Sequence, residues 1–492
     1  MVFRVNPSVS ATWSSSLPEQ NRSLVSVRRS LSSRSVTHRN VETLLGRLAT
    51  DPVLRRRFAE NPAGLLEELR EHGCELTGVE AEALACTDAD AIRSFADALD
   101  RRIRRAEVTS DWNSSRERRR PSMGYEPFAR GAHPAGVRTL ELGDGSLSDR
   151  PVAAELWYPA TAAYRGQDLD ETKWDRYVPA RGMPEMSQHA IRGADAARGT
   201  FPLFLYCHGG YGHRRELGRL CTHLASHGYI VASANFPGDN IEDLIPDEQG
   251  AAAVAKTPVD ESARNRPRQA SRVLDLISAI DLPEGLQLDR ERIAVGGESM
   301  GGFTSLAVNS LDRRPSAVFA ICPMYGERSL APQARRLQAL LRVDDWQRPV
   351  ATFVLTGDLD PLVNVADIRS LYQQLAVPKQ LVVLRRAGHM HFADNAEYVH
   401  EWFRKGYLSG EFPDPELDAI ALGTAMRPFA ELCPEEHANL TARSLCLAHL
   451  DANLKDIAGA RAFLEGDLES TFGARGIAIE AARAAFDTAA RV

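Results

Sequence analysis

The strongest constraint on the fold is an alternation that begins at about residue 133, where short apolar runs take turns with helical stretches. Continuous apolar strands separated by helices are typical of a mostly parallel sheet with both faces covered. We therefore predict an α/β fold with a doubly wound sheet. The predicted strands are 153–158, 201–207, 229–235, 292–295, 317–322, 350–355 and 380–384, and the predicted helices include 217–227, 270–280, 368–375 and 395–403.

We place this α/β domain at residues 133–410. The remaining segments differ from it in composition and in the pattern of apolar residues. Residues 1–37 are rich in Ser and Arg and have no apolar core of a secretory signal, so they are predicted to be a disordered tail. Residues 38–108 predict a small helical module, and the polar residues 109–132 predict a linker. Residues 411–492 carry no strand signal and predict a helical C-terminal extension.

Composition excludes several classes of function. The chain of 492 residues has a net charge of -7, which argues against a nucleic-acid binder. No apolar run is long enough to span a membrane. The seven cysteines include no C-x-x-C pair, which argues against a disulfide framework or zinc site and favours free thiols in the cytoplasm. No metal-ligand spacing or phosphate loop is present, so we expect no metal and no cofactor.

A nucleophile motif follows the predicted strand 292–295. Residues 297–301 read Gly-Glu-Ser-Met-Gly, the G-x-S-x-G pattern of a sharp turn between a strand and a helix. Its glycines leave room for a strained backbone that exposes Ser299. A serine hydroxyl also needs a base to take its proton and a carboxylate to hold that base.

Candidates for both partners follow later predicted strands, in the order acid and then histidine. Asp358 and Asp360 follow the strand 350–355, and we prefer Asp360 because it precedes a proline in the stretch GDLDPLV, with Asp358 left to brace the turn. His389 and His391 follow the strand 380–384. We prefer His389 because the preceding glycine frees the backbone, with His391 left to brace the loop or line the pocket.

The chemistry also needs N–H donors for a developing oxyanion. One is expected at Met300, directly after the nucleophile. The other is expected from the loop that follows the strand 201–207, which reads His-Gly-Gly-Tyr, and we choose the N–H of Gly210. Tyr211 is predicted to line the substrate pocket, and His208 to hold the loop by hydrogen bonds.

These stretches resemble the α/β-hydrolase superfamily over about residues 133–455, in particular its dienelactone-hydrolase-like and platelet-activating-factor-acetylhydrolase-like branch. The resemblance implies a cofactor-free serine hydrolase that acts on esters, lactones or related acyl bonds. It implies Ser299, Asp360 and His389 as the triad, with Gly210 and Met300 as oxyanion donors. Dienelactone hydrolases use a cysteine nucleophile, so their substrate does not carry over. The matching stretches are VAAELWYPA, FPLFLYCHGGYGHRRE, VASANFPGDN, RIAVGGESMGG, LTGDLDPLV and AGHMHF, with LCLAHLDANL towards the end.

The module at 38–108 keeps a second hypothesis open. Its stretches LLGRLATDPVLRRRFAENPAGLLEEL and LTGVEAEAL resemble helical leader regions of ribosomally made, modified peptides. That resemblance implies a protein partner for the module, a peptide acyl substrate in place of a small molecule, and a peptidase, cyclase or acyltransferase activity. A third hypothesis is a hydrolase-like scaffold that binds without catalysis.

Overall fold

The computed structural model describes residues 52–71 and 78–88, single residues between 41 and 92, and then 125–148, 151–244, 257–346, 348–376, 378–410 and 417–484. The predicted tail at 1–37 and residues 109–124 of the predicted linker lie outside the described residues. The chain divides into two compact units, Met1–Arg120 and Pro121–Val492.

The first unit contains three described helices: α1 (Pro52–Glu60), α2 (Pro62–Glu71) and α3 (Gly78–Ala85). Both α1 and α2 begin at a proline, whose fixed φ and missing N–H suit the first turn of a helix. Apolar side chains from the three helices pack into a small core that includes Leu54, Phe58, Leu65, Leu66 and Leu84.

The second unit is built on a sheet of ten strands in the order β12-β11-β10-β9-β8-β6-β7-β2-β1-β5, with β3 and β4 forming a separate pair. All seven strands predicted from the sequence are present. The strands are β1 (Ala135–Leu142), β2 (Val152–Pro159), β3 (Asp175–Tyr177), β4 (Met186–Gln188), β5 (Ile191–Arg192), β6 (Gly199–Cys207), β7 (Ile230–Ala234), β8 (Leu286–Glu298), β9 (Pro315–Ile321), β10 (Ala351–Gly357), β11 (Lys379–Leu384) and β12 (Ile479–Ala484).

Six central strands, from β7 through β6, β8, β9 and β10 to β11, run parallel to one another. Strand β2 is antiparallel to both β1 and β7. Strand β6 lies between β8 and β7 in the sheet, so the spatial order of β6 and β7 is the reverse of their order in the chain. This arrangement is the α/β-hydrolase fold, and it confirms the predicted fold class.

Helices cover both faces of the sheet. One apolar core lies between the sheet and helices α6 to α9, and a second lies between the sheet and helices α4, α12, α13 and α14. The helices of this unit are α4 (Gly218–Ser226), α5 (Ile241–Leu244), α6 (Val259–Ala279), α7 (Met300–Ala307), α8 (Gln333–Leu340), α9 (Val365–Gln374), α10 (Ala396–Ser409), α11 (Ala419–Ala425), α12 (Glu435–Leu454), α13 (Ala458–Glu465) and α14 (Leu468–Gly473).

The C-terminal region is helical as predicted, but it also contains a strand that the sequence analysis did not expect. Strand β12 pairs antiparallel with β11 from Leu384↔Ile479 to Lys379↔Ala484, and so forms the edge of the sheet. Its sequence, IEAARA, is rich in residues that favour helices. Pairing with an otherwise open strand overrides that local preference.

The parallel strands bring several loops to one edge of the sheet. The loop at His208 follows β6, Ser299 follows β8, and Cys322 follows β9. Asp360 lies just beyond β10, and His389 lies just beyond β11. Because the carboxyl ends of parallel strands share an edge, this is where a ligand site is expected in a doubly wound sheet.

Candidate active site

Ser299 occupies a strained turn between β8 and α7. Its φ of 55° and ψ of -117° lie in a region that non-glycine residues rarely adopt. The turn is held by two backbone hydrogen bonds, from Ser299 N to Ile321 O at 2.9 Å and from Met324 N to Ser299 O at 3.0 Å. A Cβ built on Gly301 would collide with the carbonyl oxygen of Cys207, so only glycine fits there. The G-x-S-x-G motif therefore forms the elbow that its sequence predicts.

The structure joins three of the predicted side chains in one hydrogen-bonded chain. Ser299 Oγ lies 2.9 Å from Nε2 of His389. Nδ1 of the same ring lies 2.6 Å from Oδ2 of Asp360. In this geometry Nδ1–H donates to the carboxylate, which leaves the Nε2 lone pair to accept the serine proton.

Asp360 is held rigidly. Its side chain is buried, and its Oδ1 accepts hydrogen bonds from the backbone N–H groups of Leu362 and Val363, both at 2.8 Å. With Oδ1 bonded to the backbone and Oδ2 bonded to His389, both carboxylate oxygens are satisfied. The carboxylate can therefore fix the orientation and tautomer of the imidazole.

The alternative acid and base have other partners. Asp358 accepts a hydrogen bond from Arg386 N at 2.6 Å and so braces the turn after β10. His391 donates from Nε2 to the carbonyl of Cys433 at 2.7 Å and stacks on Phe429. Burial lowers the pKa of His391 to about 4, so it is neutral at physiological pH. Both residues brace loops, as the sequence analysis allowed.

Two carboxyl groups control the protonation of His389. Burial alone would lower the pKa of this histidine, but the carboxylates of Asp360 and Glu298 outweigh burial and hold the pKa well above its ordinary value. Glu298 is the second residue of the G-x-S-x-G motif, and its Oε1 lies 3.4 Å from Nε2 of His389. The sequence analysis did not assign a role to this residue.

The loop after β6 presents its backbone in a fixed orientation. The carbonyl of Gly209 lies 2.7 Å from Nδ1 of His208 and accepts N–H bonds from Gly212 at 3.2 Å and from Arg266 Nη1 at 3.3 Å. Nε2 of His208 accepts the N–H of Phe236 at 3.1 Å, so Nδ1 carries the proton that bonds to Gly209. The predicted loop-holding role of His208 agrees with these contacts.

Arg266 is the principal side chain under this loop. It is fully buried, it donates to the carbonyls of His208 and Gly209, and its guanidinium lies over the ring of Phe236 at 4.4 Å. Asp239 pairs with Arg266 at 3.3 Å and accepts the N–H of Tyr211 at 3.0 Å. The sequence gives no indication of this contact, because Arg266 resembles any other arginine inside a helix.

The two predicted oxyanion donors lie side by side. A Cβ built on Gly210 would lie 3.7 Å from Cβ of Met300. Within the described part of the chain, neither Gly210 nor Met300 uses its N–H in a hydrogen bond. Tyr211, in contrast, donates its hydroxyl to the carbonyl of Thr257 at 3.3 Å, and its role as a pocket residue stays a prediction.

One cluster at the site has three groups of the kind that bind metals. Potential ligand atoms of Cys322, Asp360 and His389 lie within 4.8 Å of one another. However, burial raises the pKa of the Cys322 thiol to about 12, and the carboxylate is already bonded to the imidazole. A thiol that keeps its proton is a poor metal ligand, so the cluster fits a hydrogen-bond network better than a metal centre.

A large cavity lies away from these residues. It has a volume of about 380 Å³ and opens at the amino ends of β10 and β11, opposite the edge that carries Ser299. The cations on its wall bond to backbone carbonyls: Lys379 bonds to Leu375 at 2.7 Å, and Arg461 bonds to Ala452 at 3.1 Å. We assign the reactive site by its nucleophile and not by cavity size.

The chain is similar to known hydrolases. Residues 146–239 match the family model of platelet-activating factor acetylhydrolase, isoform II. The platelet-activating factor acetylhydrolase of Gallus gallus is 20% identical over 371 residues, which is 60% of this chain and 81% of that protein. A ferulic acid esterase from Streptomyces cinnamoneus is 22% identical, with a TM-score of 0.45, over 67% of this chain and 93% of its own.

The strand order and the elbow at Ser299 give this chain the α/β-hydrolase fold, with a serine at the position of the nucleophile. Its sequence is similar to that of the platelet-activating factor acetylhydrolases. The region that matches the family model includes the loop at Gly209 and Gly210 but ends before Ser299. No described helix is both long and apolar enough to cross a membrane.

Proposed function

We propose that this protein hydrolyses carboxylic esters through an acyl-enzyme on Ser299, with His389 as general base and Asp360 as the acid that orients it. The observation that carries the proposal is the unbroken chain of contacts, 2.9 Å from Ser299 Oγ to Nε2 and 2.6 Å from Nδ1 to Asp360. A serine hydroxyl is a weak nucleophile on its own, and this arrangement removes its proton as it attacks.

In the first half-reaction, Oγ of Ser299 forms a bond to the acyl carbon while its proton moves to Nε2 of His389. The tetrahedral intermediate then collapses, the bond to the leaving alcohol breaks, and His389 gives the proton to the departing oxygen. In the second half-reaction, a water molecule takes the place of the alcohol and releases the acid. Asp360 holds the ring through its Nδ1–H group and stabilises the imidazolium.

We assign the oxyanion donors to the N–H groups of Gly210 and Met300. In a trans peptide unit, a carbonyl and the N–H of the next residue lie in one plane and point in opposite directions. Because Arg266 and His208 hold the Gly209 carbonyl on one side, the Gly210 N–H points to the other. A preorganised pair of donors of this kind contributes about 3 kcal/mol or more to stabilisation of the transition state.

The names of the relatives support a class of substrate. Platelet-activating factor acetylhydrolase is named for removing an acetyl group, and we propose that this chain likewise favours esters of short acyl chains. A panel of p-nitrophenyl esters from acetate to octanoate, read as kcat/KM, ranks the acyl chains directly.

The decisive variant is Ser299→Ala, assayed on the best ester of that panel. Loss of the nucleophile is expected to lower kcat by about 10³-fold or more. Ser305→Ala is the matched control. Ser305 lies on α7, the helix that follows Ser299, and its buried hydroxyl donates to the carbonyl of Gly302 at 2.8 Å. Full hydrolysis by the Ser299→Ala protein would disprove the proposal.

A further inference from the structure

The elbow holds a carboxyl group that the triad does not account for. Glu298 directly precedes Ser299 at the end of β8, and its side chain is buried. Its Oε1 is shielded from water and has no hydrogen-bond partner among the described residues. A buried oxygen of this kind is unusual, and it calls for an explanation from its surroundings.

The ring of the proposed base lies close to this oxygen. Oε1 of Glu298 lies 3.4 Å from Nε2 of His389, the nitrogen that also contacts Ser299 Oγ at 2.9 Å. When Nε2 has no proton, it offers only a lone pair to the carboxyl group. Once Nε2 is protonated, its N–H has two acceptors within reach, the serine or alcohol oxygen and Glu298.

We propose that Glu298 is a second acidic partner of His389, which stabilises the imidazolium from the Nε2 side while Asp360 stabilises it from the Nδ1 side. This inference rests on the proposed function, since it assigns a positioning residue to the same site. No net proton is transferred to Glu298: the proton that leaves Ser299 stays on Nε2, faces both oxygens, and passes to the leaving alcohol.

The second oxygen of Glu298 lies against the loop after β6. A Cβ built on Gly209 would lie 2.8 Å from Glu298 Oε2 and 3.2 Å from Glu216 Oε1, so two carboxyl groups flank this glycine. Oε2 of Glu216 accepts the Gly209 N–H at 2.7 Å. Glu298 therefore lies between the loop and the histidine, close to both.

The charged groups around Glu298 shift its pKa in opposite directions. Burial and the neighbouring carboxyls of Glu216 and Asp360 raise its pKa to about 8, against the lowering effect of His389 and Arg266. The hydroxyl of Tyr206 and the thiol of Cys322 also face this cluster, and burial raises the pKa of each. Among the described residues, the protonated ring of His389 is the cation within 4 Å of Glu298, so protonation of the ring and ionisation of Glu298 favour each other.

Glu298 is expected to shift the pH profile of activity in one direction. The enzyme is active when Nε2 is unprotonated, and a carboxylate at 3.4 Å favours the protonated ring. At a pH where Glu298 is ionised, removal of its charge therefore lowers the pKa of His389, and the rise of kcat/KM with pH moves to lower pH. The imidazolium of the transition state loses the same support, so the plateau value of kcat falls.

The test compares Glu298→Gln with the matched variant Glu216→Gln in the full chain, using p-nitrophenyl acetate. Glu298→Gln is expected to move the midpoint down by about one pH unit and to lower the plateau kcat about tenfold. Glu216→Gln is expected to move the midpoint less than half as far, because Glu216 forms no ion pair with His389 in the described structure. Glu298→Asp restores the charge and should recover part of the shift.

An unmoved midpoint in Glu298→Gln would overturn the inference, and so would equal shifts in both glutamine variants. A fall in kcat without a shift would mean a merely structural role and would also overturn it. The Nδ1–H proton resonance of His389, followed against pH in the wild-type protein, gives its pKa without any variant and without turnover. A value at or below 6.5 would contradict the inference whether or not the protein hydrolyses esters, whereas the proposed function falls if the wild-type protein hydrolyses no ester or if Ser299→Ala retains full activity.

Discussion

The two nitrogens of the His389 ring face two carboxyl groups that differ in how many of their oxygens are hydrogen-bonded. On the Nδ1 side, both oxygens of Asp360 are bonded, one to the ring and one to two backbone N–H groups. On the Nε2 side, Oε1 of Glu298 lies 3.4 Å from the ring and has no hydrogen bond among the described residues. A carboxylate with both oxygens hydrogen-bonded holds the ring in a fixed orientation, whereas one with an unbonded oxygen responds to the charge of its neighbour.

The largest effect is expected on the Nδ1 side. Asp360→Asn keeps the shape of the side chain but removes the acceptor that holds the Nδ1 proton, so the ring loses its tautomer and its counter-charge. We expect kcat to fall by about 10³- to 10⁴-fold with a smaller change in KM. Steady-state kinetics on p-nitrophenyl acetate measures this. A loss below tenfold would mean that the Nδ1 side does not control the base.

An intermediate effect is expected where Arg266 clamps the loop between Glu298 and the proposed oxyanion donors. Arg266→Met keeps the length of the side chain but frees the Gly209 carbonyl, so the Gly210 N–H is no longer fixed. We expect kcat to fall by about 10- to 100-fold, less than for the loss of a direct donor.

The Arg266 variant also leaves Asp239 without its buried partner, which costs roughly 3–5 kcal/mol of stability, so kinetics must be read where the variant is folded. Arg314→Met is the control, because Arg314 is half-exposed and pairs with Asp312 before β9, at the other edge of the sheet. If both variants lost activity equally, the clamp would have no special role in the site.

The smallest effect is expected at Asp358, the candidate acid that lies outside the hydrogen-bonded chain of Ser299, His389 and Asp360. Asp358 bonds to the backbone of Arg386 and lies in an ion pair with Arg385 at 3.5 Å. We expect Asp358→Asn to change kcat/KM by less than about threefold, because an exposed ion pair of this kind contributes under about 1 kcal/mol. A loss as large as that of Asp360→Asn would reverse the choice between the two acids.

Sequence predicted most of the sheet and the three residues that meet at its edge. The apolar runs of the central strands are long and uninterrupted, so their pattern is strong. The order of Ser299, Asp360 and His389 follows from the requirement that each lie beyond a strand at the same edge. The sequence distinguishes less clearly between neighbouring candidates. Asp358 lies close to Asp360 in the chain, and His391 lies close to His389, with the same residue type in each pair.

The parts that sequence did not predict depend on long-range pairing. Strand β12 has a helix-favouring sequence and forms only because β11 presents an open edge to it. The role of Arg266 depends on a helix lying under a loop some 57 positions earlier. Glu298 was visible inside the motif, but only the distance to His389 distinguishes it from an ordinary variable position of the elbow.

The most direct test of the central claim is covalent labelling with a fluorophosphonate, followed by tandem mass spectrometry of the tryptic peptide of residues 293–313. The account predicts one adduct per chain, on Ser299 and not on Ser305 or Ser310 of the same peptide. Labelling should be lost in His389→Gln and kept in His391→Gln, whose side chain only braces a loop. Absence of an adduct, an adduct on another residue, or full labelling of His389→Gln would contradict the account.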